Sequence, residues 1–213
     1  MRRDPGKENN ALNRASNIDC PLLHVMKDYP KEVILRDGSG VTLRPVTSED
    51  GPLLIRMLAR LSEEDRWFLG LGGDVAAFVE SWIRFAGTER AFAIAAVLEG
   101  EMIAVAALAR ERAGAEGHVG QIRISVVPDY RERRLGTWML LDLINAAISM
   151  GLERLVMRLV EGRDDLIMRG VEKLRFTREA VLQAFVKDME GNFHNLALMV
   201  KRLPLEWLPG DPD

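Results

Sequence analysis

One stretch of this 213-residue chain constrains its fold more than any other: a strand pattern, an arginine-rich turn and a helical pattern, in that order, over residues 121–150. Residues 121–127, Gln-Ile-Arg-Ile-Ser-Val-Val, alternate polar and apolar side chains, which predicts a half-buried strand. Pro128 ends the strand, because proline cannot donate to a sheet ladder. From Trp138 to Met150 apolar residues recur three and four apart, which predicts a helix with one apolar face.

The turn between this strand and this helix carries Arg131, Arg133 and Arg134. We expect all three in the first turn of the helix, where the positive end of the macrodipole disfavours each arginine by about 0.3–1 kcal/mol. A bound polyanion would reverse that effect, because free N–H groups at a helix start and guanidinium groups both bind phosphate. A solvated basic turn is the alternative, and charge alone does not separate the two interpretations.

Residues 126–137 read V-V-P-D-Y-R-E-R-R-L-G-T, which resembles the acetyl-CoA motif V-x-P-x-(Y/F)-(R/Q)-x-x-G-x-(G/A) of the GNAT N-acetyltransferases. The resemblance implies that the strand lies beside the pantetheine arm and that backbone amides of the turn hold the pyrophosphate. Arg134 stands where the family has its first glycine. We expect a regular backbone there, because a positive φ would strain an arginine by about 1 kcal/mol. The implied donor-binding residues are Ile124, Ser125, Val126, Arg131, Glu132, Arg133, Arg134, Leu135, Gly136, Thr137 and Asp164, the last aligned with an asparagine that often touches CoA in the family.

The N-terminal half fits the same family. Val33–Arg36 and Val41–Arg44 flank Asp37-Gly38-Ser39-Gly40, which predicts a hairpin. Helical patterns with capping residues follow this hairpin. The text "LRP…ED…LL…RLS" between Leu43 and Ser62 resembles the start of bacterial protein-lysine acetyltransferase domains.

The predicted order of elements is β-β-α-α-β-β-β-α-β-α-β-β. Runs of hairpin strands with a helical crossover after the central strand indicate a mixed sheet rather than a doubly wound parallel one. We therefore expect an α/β (α+β) domain of the GNAT type, with a mixed, mostly antiparallel central sheet and helices on both faces. The predicted domain spans residues 20–203, between a disordered N-terminal tail at residues 1–19 and a C-terminal tail at residues 204–213.

Composition restricts the partners. A net charge of -3 does not favour nucleic acid or an anionic membrane. Cys20 is the only cysteine and the three histidines lack ligand spacing, so we expect neither an internal disulfide nor a bound metal. The sequence shows no signal-peptide pattern and no run of about 18 apolar residues. A cytoplasmic protein fits best, and homodimer formation stays open.

The resemblance also implies a mechanism in which an amine attacks the thioester directly and the backbone N–H of Val126 polarises the carbonyl oxygen. The acid–base groups depart from the family, because Gln121 stands where relatives carry a glutamate and Val171 where they carry a tyrosine. Gln121 cannot accept a proton at neutral pH. Three residues near the strand are alternative bases, although a solvated loop position is the simpler interpretation of each: Glu111, Glu116 and His118.

Two functions follow from these residues. The first is an acetyl-CoA-dependent N-acetyltransferase that acts on a primary amine, either a protein lysine or a small metabolite. The second is a non-catalytic acyl-CoA-binding regulatory domain, which Gln121 and Val171 favour. We prefer the enzyme, because an amine can also lose its proton through water.

Overall fold

A computed structural model describes residues 25–71, 73–86, 88, 90–110 and 114–204. The predicted N-terminal tail, Glu111 and the predicted C-terminal tail apart from Pro204 lie outside the described residues.

The described residues form one sheet of eight strands, flanked by α-helices. The strands are β1 (Lys31–Ile34), β2 (Gly40–Pro45), β3 (Ala91–Leu98), β4 (Glu101–Arg110), β5 (Val119–Val126), β6 (Arg154–Val160), β7 (Thr177–Lys187) and β8 (Phe193–Arg202). The helices are α1 (Gly51–Ala59), α2 (Glu63–Phe68), α3 (Val75–Ala86), α4 (Leu135–Ser149) and α5 (Asp165–Lys173).

The strand order in the sheet is β1-β2-β3-β4-β5-β6-β8-β7. Strands β5 and β6 are parallel, and every other neighbouring pair is antiparallel. The helix α4 makes the crossover that a parallel pair requires. The predicted mixed, mostly antiparallel sheet is confirmed.

Helices cover both faces of the sheet, as expected. On one face, Arg110 of β4 donates to the carbonyl oxygen of Met150 at the end of α4, at 2.5 Å; we call this the α4 face. On the other, Arg44 of β2 binds Asp50 through two hydrogen bonds of 2.6 and 2.7 Å. Asp50 precedes α1 directly, so we call this the α1 face. Strand β4 is buried almost throughout its length because both faces are covered there.

Gly120 fixes the approach of β5 to the elements around it on the α4 face. A Cβ atom at this position would lie 2.7 Å from Leu152 Cδ1 and 2.8 Å from Leu108 Cδ1. Real Cβ atoms do not approach so closely, so only glycine lets these leucines close over the strand. Successive side chains along a strand point to opposite faces of the sheet. Because Gly120 faces α4, Gln121 lies on the α1 face.

Candidate active site

A cleft opens between the C-terminal halves of the two parallel strands. Strands β5 and β6 are registered only as far as Gln121 and Val156. Beyond that pair β5 continues to Val126 against β4, and β6 continues to Val160 against β8. The sheet is therefore split at its centre, and each wall of the cleft is the edge of a strand that pairs on its other side.

The backbone of β5 presents hydrogen-bonding groups to this cleft. Val127 N donates to Ile103 O of β4 at 3.0 Å. Because backbone groups point to alternate sides along a strand, the N–H groups of Ile124 and Val126 point away from β4 and toward the cleft. The carbonyl oxygen of Val126, on the same side, accepts a hydrogen bond from Arg131 Nε at 3.0 Å. The cleft wall thus carries strand-edge donors and acceptors beyond the last registered pair.

The turn that follows β5 has an unusual backbone. Glu132 and Arg134 both adopt positive φ, at 59° and 68°. The expectation of a regular backbone at Arg134 is therefore wrong. The left-handed conformation costs about 1 kcal/mol or more for each non-glycine residue, and such strain is concentrated where it shapes a functional site.

That backbone directs a row of N–H groups outward. Within the described structure, none of the five consecutive backbone N–H groups of residues 132–136 donates to a protein acceptor, whereas Thr137 N donates to Arg134 O at 3.1 Å. A Cβ atom on Gly136 would meet nothing within 4 Å. Successive free N–H groups in a turn of alternating hand, at the start of a helix, are an anion-binding arrangement.

The three arginines of the turn differ in what they contact. Arg131 Nη2 lies 2.6 Å from Asp65 Oδ2. Arg133 binds Asp37, and its guanidinium lies 5.0 Å from the centroid of the Tyr130 ring. Arg134 is exposed and has no ion-pair partner among the described residues. Two of the three positive charges are thus already paired inside the protein.

The helix α4 begins at Leu135, three residues before the start predicted from apolar spacing at Trp138. The arginines therefore precede the helix, and the expectation that all three lie in its first turn is wrong. The free N–H groups, not the guanidinium groups, occupy the positive end of the helix.

Asp65 joins the two sides of the cleft, a role that the sequence did not reveal. Its Oδ1 lies 2.5 Å from Arg163 Nη2 in the turn after β6, while its Oδ2 binds Arg131 in the turn after β5. Ser62 donates to the same carboxylate at 2.7 Å, and Arg163 stacks 4.7 Å from the centre of the Phe68 ring. The sequence identified residues 62–65 only as a helix cap. Their contacts lie 66 and 98 positions away, and no local pattern marks them.

The electrostatics of this cluster favour an ionised carboxylate. Burial alone would raise the pKa of Asp65, because a buried charge loses its hydration. Hydrogen bonds from Ser62 and Arg131, with the positive charges of Arg131 and Arg163, outweigh burial and hold the pKa of Asp65 below its ordinary value. The ion pairs of Asp65 with Arg131 and Arg163, which connect the two sides of the cleft, are therefore formed at neutral pH.

Asp164, aligned with the asparagine of relatives, is buried in the turn after β6. Its Oδ2 accepts from Val160 N at 2.8 Å and its Oδ1 from Arg163 Nη1 at 2.6 Å. One carboxylate oxygen thus holds the local backbone and the other holds the Arg163 side chain, and contact with CoA stays a prediction. Val171, aligned with the family tyrosine, is buried in the core and carries no hydroxyl group.

The candidate bases lie at different heights along β5. Gln121 lies on the α1 face at the vertex of the cleft, where β5 and β6 last pair, and its side chain is partly exposed. Glu116 and His118 are exposed and precede the strand. His118 is eight residues from Val126, roughly 26 Å along an extended strand. These two residues are therefore far from the cleft mouth, and Glu111 lies outside the described residues.

The described residues contain no group of three or more His, Cys, Asp or Glu side chains that could hold a metal ion. In the same part of the chain, every helix is too short or too polar to span a membrane.

Comparisons with known proteins agree with this geometry. The profile of the "Acetyltransferase (GNAT) family" matches residues 52–165, more than half of the chain. Among curated protein sequences, none matches significantly. Solved structures of acetyltransferases match over most of their own length, and three examples follow.

The GNAT domain of S. lividans PAT has a TM-score of 0.65 at 20% identity, over 81% of this chain and 96% of its own. The protein yncA from Salmonella typhimurium, solved with its cofactor acetyl-CoA, has a TM-score of 0.65 at 16% identity, over 80% of this chain and 98% of its own. The ribosomal-protein-alanine N-acetyltransferase from Brucella melitensis has a TM-score of 0.64 at 18% identity, over 76% and 99%. At such identities the likeness shows the fold, and the family profile, which includes the motif at residues 126–137, goes further: this chain belongs to the GNAT family of acetyltransferases.

Proposed function

We propose that the protein transfers an acetyl group from acetyl-CoA to a primary amine, either a small metabolite or a protein amine, by direct attack in a ternary complex. The observation that carries this proposal is the row of free N–H groups at residues 132–136. Two left-handed residues hold five adjacent donors toward open space, and strained backbone of this kind is found where it shapes a ligand site. A diphosphate supplies enough acceptor oxygens in one compact group.

The remaining donor site fits the pantetheine arm of acetyl-CoA. The edge of β5 that carries Ile124, Ser125 and Val126 has backbone groups directed into the cleft, and an amide-bearing arm can hydrogen-bond to such an edge as an added strand does. Gly136 leaves open space at the turn, where a bulky residue would stand against the phosphates. Arg134, unpaired in the described structure, is the arginine available to neutralise phosphate charge.

The acetyl transfer itself needs only a bound thioester, a donor to its carbonyl oxygen and a neutral amine. The nitrogen of the neutral amine attacks the thioester carbonyl carbon, the carbon–sulfur bond breaks, and CoA leaves as its thiol while the nitrogen loses a proton. The N–H of Val126 points into the cleft and can donate to the carbonyl oxygen, an interaction worth about 3 kcal/mol in the transition state. Gln121 can orient an amine or a water but cannot take a proton. In this proposal the proton leaves through water.

The test begins with calorimetric titration of acetyl-CoA against acetyl-pantetheine, which carries the same thioester but no diphosphate. We expect acetyl-CoA to bind and acetyl-pantetheine to bind about 100-fold more weakly, because the charged hydrogen bonds at residues 132–136 are lost. Thiol release with a panel of primary amines then measures turnover. Equal affinity for the two thioesters would contradict the placement of the diphosphate.

The second candidate is a non-catalytic acyl-CoA-binding domain. It is favoured by Gln121 and Val171, which replace an ionisable glutamate and a tyrosine in the aligned positions. The same two measurements separate the candidates. Tight acetyl-CoA binding without thiol release for any amine indicates the binding domain, whereas amine-dependent thiol release indicates the enzyme.

A further inference from the structure

The α1 face of the sheet is positively charged where it borders the cleft. Strand register places four arginines on this face. The four are Arg123 of β5, Arg154 and Arg158 of β6, and Arg202 of β8. Arg202 lies 3.6 Å from Glu179 of β7, whereas the other three have no ion-pair partner among the described residues. A local excess of positive charge is unexpected in a chain whose net charge is -3.

Two of these arginines flank the open part of the cleft. Arg123 is two residues beyond Gln121 on β5, and Arg158 is two residues beyond Val156 on β6, past the last registered pair. Both are exposed. Side chains two residues apart share a face, so both guanidinium groups extend from the α1 face, one from each wall.

Arg123 and Arg158 differ from the basic residues on the opposite face in that they lack ion-pair partners among the described residues. On the α4 face, Arg178 lies 2.8 Å from Glu161, and Lys201 donates to Leu174 O at 2.8 Å. Among the described residues Arg123 and Arg158 have no ion-pair partner. Two unpaired positive charges therefore lie at the face and the height of the cleft where an acceptor would meet the thioester.

A bulge in β7 supports the position of Arg158. The register between β7 and β8 shifts between Leu182 and Val186, and Ala184 adopts a positive φ of 49°. Such a bulge re-aims a side chain, and here Phe185 lies with its ring centroid 5.8 Å from Arg158 Cζ. The aromatic ring contacts the guanidinium without neutralising its charge.

We propose that the amine acceptor carries an anionic group, a carboxylate or a phosphate, which Arg123 and Arg158 bind while the amine faces the thioester. This inference rests on the proposed acetyl transfer. Two guanidinium groups bind an anion by charge-assisted hydrogen bonds and repel polycationic amines such as polyamines. Acceptors with a free carboxylate or phosphate near the amine are the class selected.

The same charges compensate for the missing carboxylate at Gln121. A positive group within about 4–6 Å disfavours the protonated form of an amine and lowers its pKa. Because only the neutral amine attacks, Arg123 beside Gln121 increases the reactive fraction at a given pH. Recognition of the acceptor and preparation of its amine are then functions of one residue.

The test compares acceptors in pairs with and without an anionic group: β-alanine with β-alaninamide, phosphoethanolamine with ethanolamine, and a lysine peptide flanked by glutamates with one flanked by glutamines. We expect kcat/KM to be at least about tenfold higher for the anionic member of at least one pair, since a charge-assisted hydrogen bond is worth a factor of this order. The pair that responds shows whether carboxylate or phosphate is the group recognised. The absence of an anionic preference in all three pairs, or a preference for spermidine, would overturn the proposal.

Variants then assign the effect to these residues. Arg123→Gln combined with Arg158→Gln should remove the anionic preference. Arg123→Gln alone should move the acidic limb of the pH–kcat profile, which reports ionisation in the bound complex, to higher pH. Arg178→Gln, the same change on the opposite face of the sheet, is the control and should preserve both. The preference surviving in the double variant would refute the assignment. Acetyl-CoA affinity is measured in parallel, and its absence in the wild-type protein would refute the proposed function instead.

Discussion

In the proposed function, the two sides of the cleft recognise their ligands by different means. The donor side, the turn at residues 131–136, presents backbone N–H groups whose direction depends on two left-handed residues, Glu132 and Arg134. The acceptor side, the α1 face beside Gln121, presents the side chains of Arg123 and Arg158 from two different strands. Backbone donors serve one constant ligand, whereas side chains can change with the acceptor.

This difference has consequences for mutation. A backbone site tolerates most changes in its side chains but fails when a new group occupies the space of the ligand. In a site built from side chains, a single substitution can change which ligand the site accepts. Variants on the donor side should therefore change whether acetyl-CoA binds, and variants on the acceptor side should change the rate and the choice of amine.

The largest effect is expected from Gly136→Asp. A carboxylate placed where the diphosphate approaches adds like charge and bulk, which costs several kcal/mol, so acetyl-CoA affinity should fall by about 100-fold or more by calorimetry. The free protein should fold normally, since a Cβ here meets nothing within 4 Å. Gly136→Ala is the matched control, and unchanged affinity in a folded Gly136→Asp protein would place the diphosphate elsewhere.

Gln121→Glu should raise kcat/KM by about tenfold or more with a true acceptor, because general-base catalysis typically contributes about 10²–10⁴-fold. Partial burial at the vertex of the cleft should raise the pKa of the new carboxyl toward the working range. Gln121→Ala should cost less, since only orientation of the amine is lost. If the glutamate variant binds acetyl-CoA but is no faster at any pH, the proton leaves by another route.

Asp65→Asn should affect the donor side indirectly, because Asp65 positions Arg131 of the turn that follows β5. Removing the charge leaves Arg131 and Arg163 without their shared partner, which should lower the free energy of unfolding by about 1–3 kcal/mol and weaken acetyl-CoA binding severalfold. Asp37→Asn removes the carboxylate that Arg133 binds at the exposed end of the same turn. Chemical denaturation should show a clearly smaller loss of unfolding free energy for Asp37→Asn than for Asp65→Asn. Equal losses would contradict a special role of Asp65 in connecting the two sides of the cleft.

The same pair of proteins gives a pH test. The pKa of Asp65 is lowered in the folded protein, so its stabilising contribution is fully present above the ordinary carboxyl pKa and is lost as pH falls through the lowered value. The stability difference between wild type and Asp65→Asn should therefore stay constant from about pH 7 to 5 and shrink below about pH 4. A difference that grows as pH falls would show that the carboxyl is protonated in the folded state.

Arg134→Gly should have the smallest effect. Glycine adopts the observed φ of 68° without strain, so the free protein should gain about 0.5–1 kcal/mol in thermal or chemical unfolding. The lost positive charge should weaken acetyl-CoA binding only a few-fold, because the N–H groups remain. Arg134→Lys keeps charge and strain and should change neither quantity; a large loss of affinity in Arg134→Gly alone would mean that the guanidinium, not the backbone, holds the phosphates.

The sequence predicted most strands, helices and turns because signals within a few residues specify them. The hairpin turn at Asp37–Gly40, the cap at Ser62 and the strand end before Pro128 each depend on a few adjacent residues, and the elements that they delimit are present. The start of α4 was placed three residues late, since Leu135 and Gly136 carry no strong helical signal but lie in the first turn.

Other features of the cleft depend on contacts between distant segments. The backbone at Arg134 is held left-handed against its own preference, which propensity cannot predict. Asp65 binds Arg131 and Arg163 from a helix far away in the sequence. The basic α1 face becomes visible only when strand register places Arg123 and Arg158 together.

A crystal structure of the protein with CoA would show directly which groups hold the diphosphate. We expect diphosphate oxygens at about 2.7–3.2 Å from the backbone nitrogens of residues 132–136, with the arm of CoA along β5 toward Val126. Arg131 and Arg133 should keep their bonds to Asp65 and Asp37. A diphosphate held by those guanidinium groups instead, with the five N–H groups facing solvent, would contradict the assignment of these backbone donors as the diphosphate site.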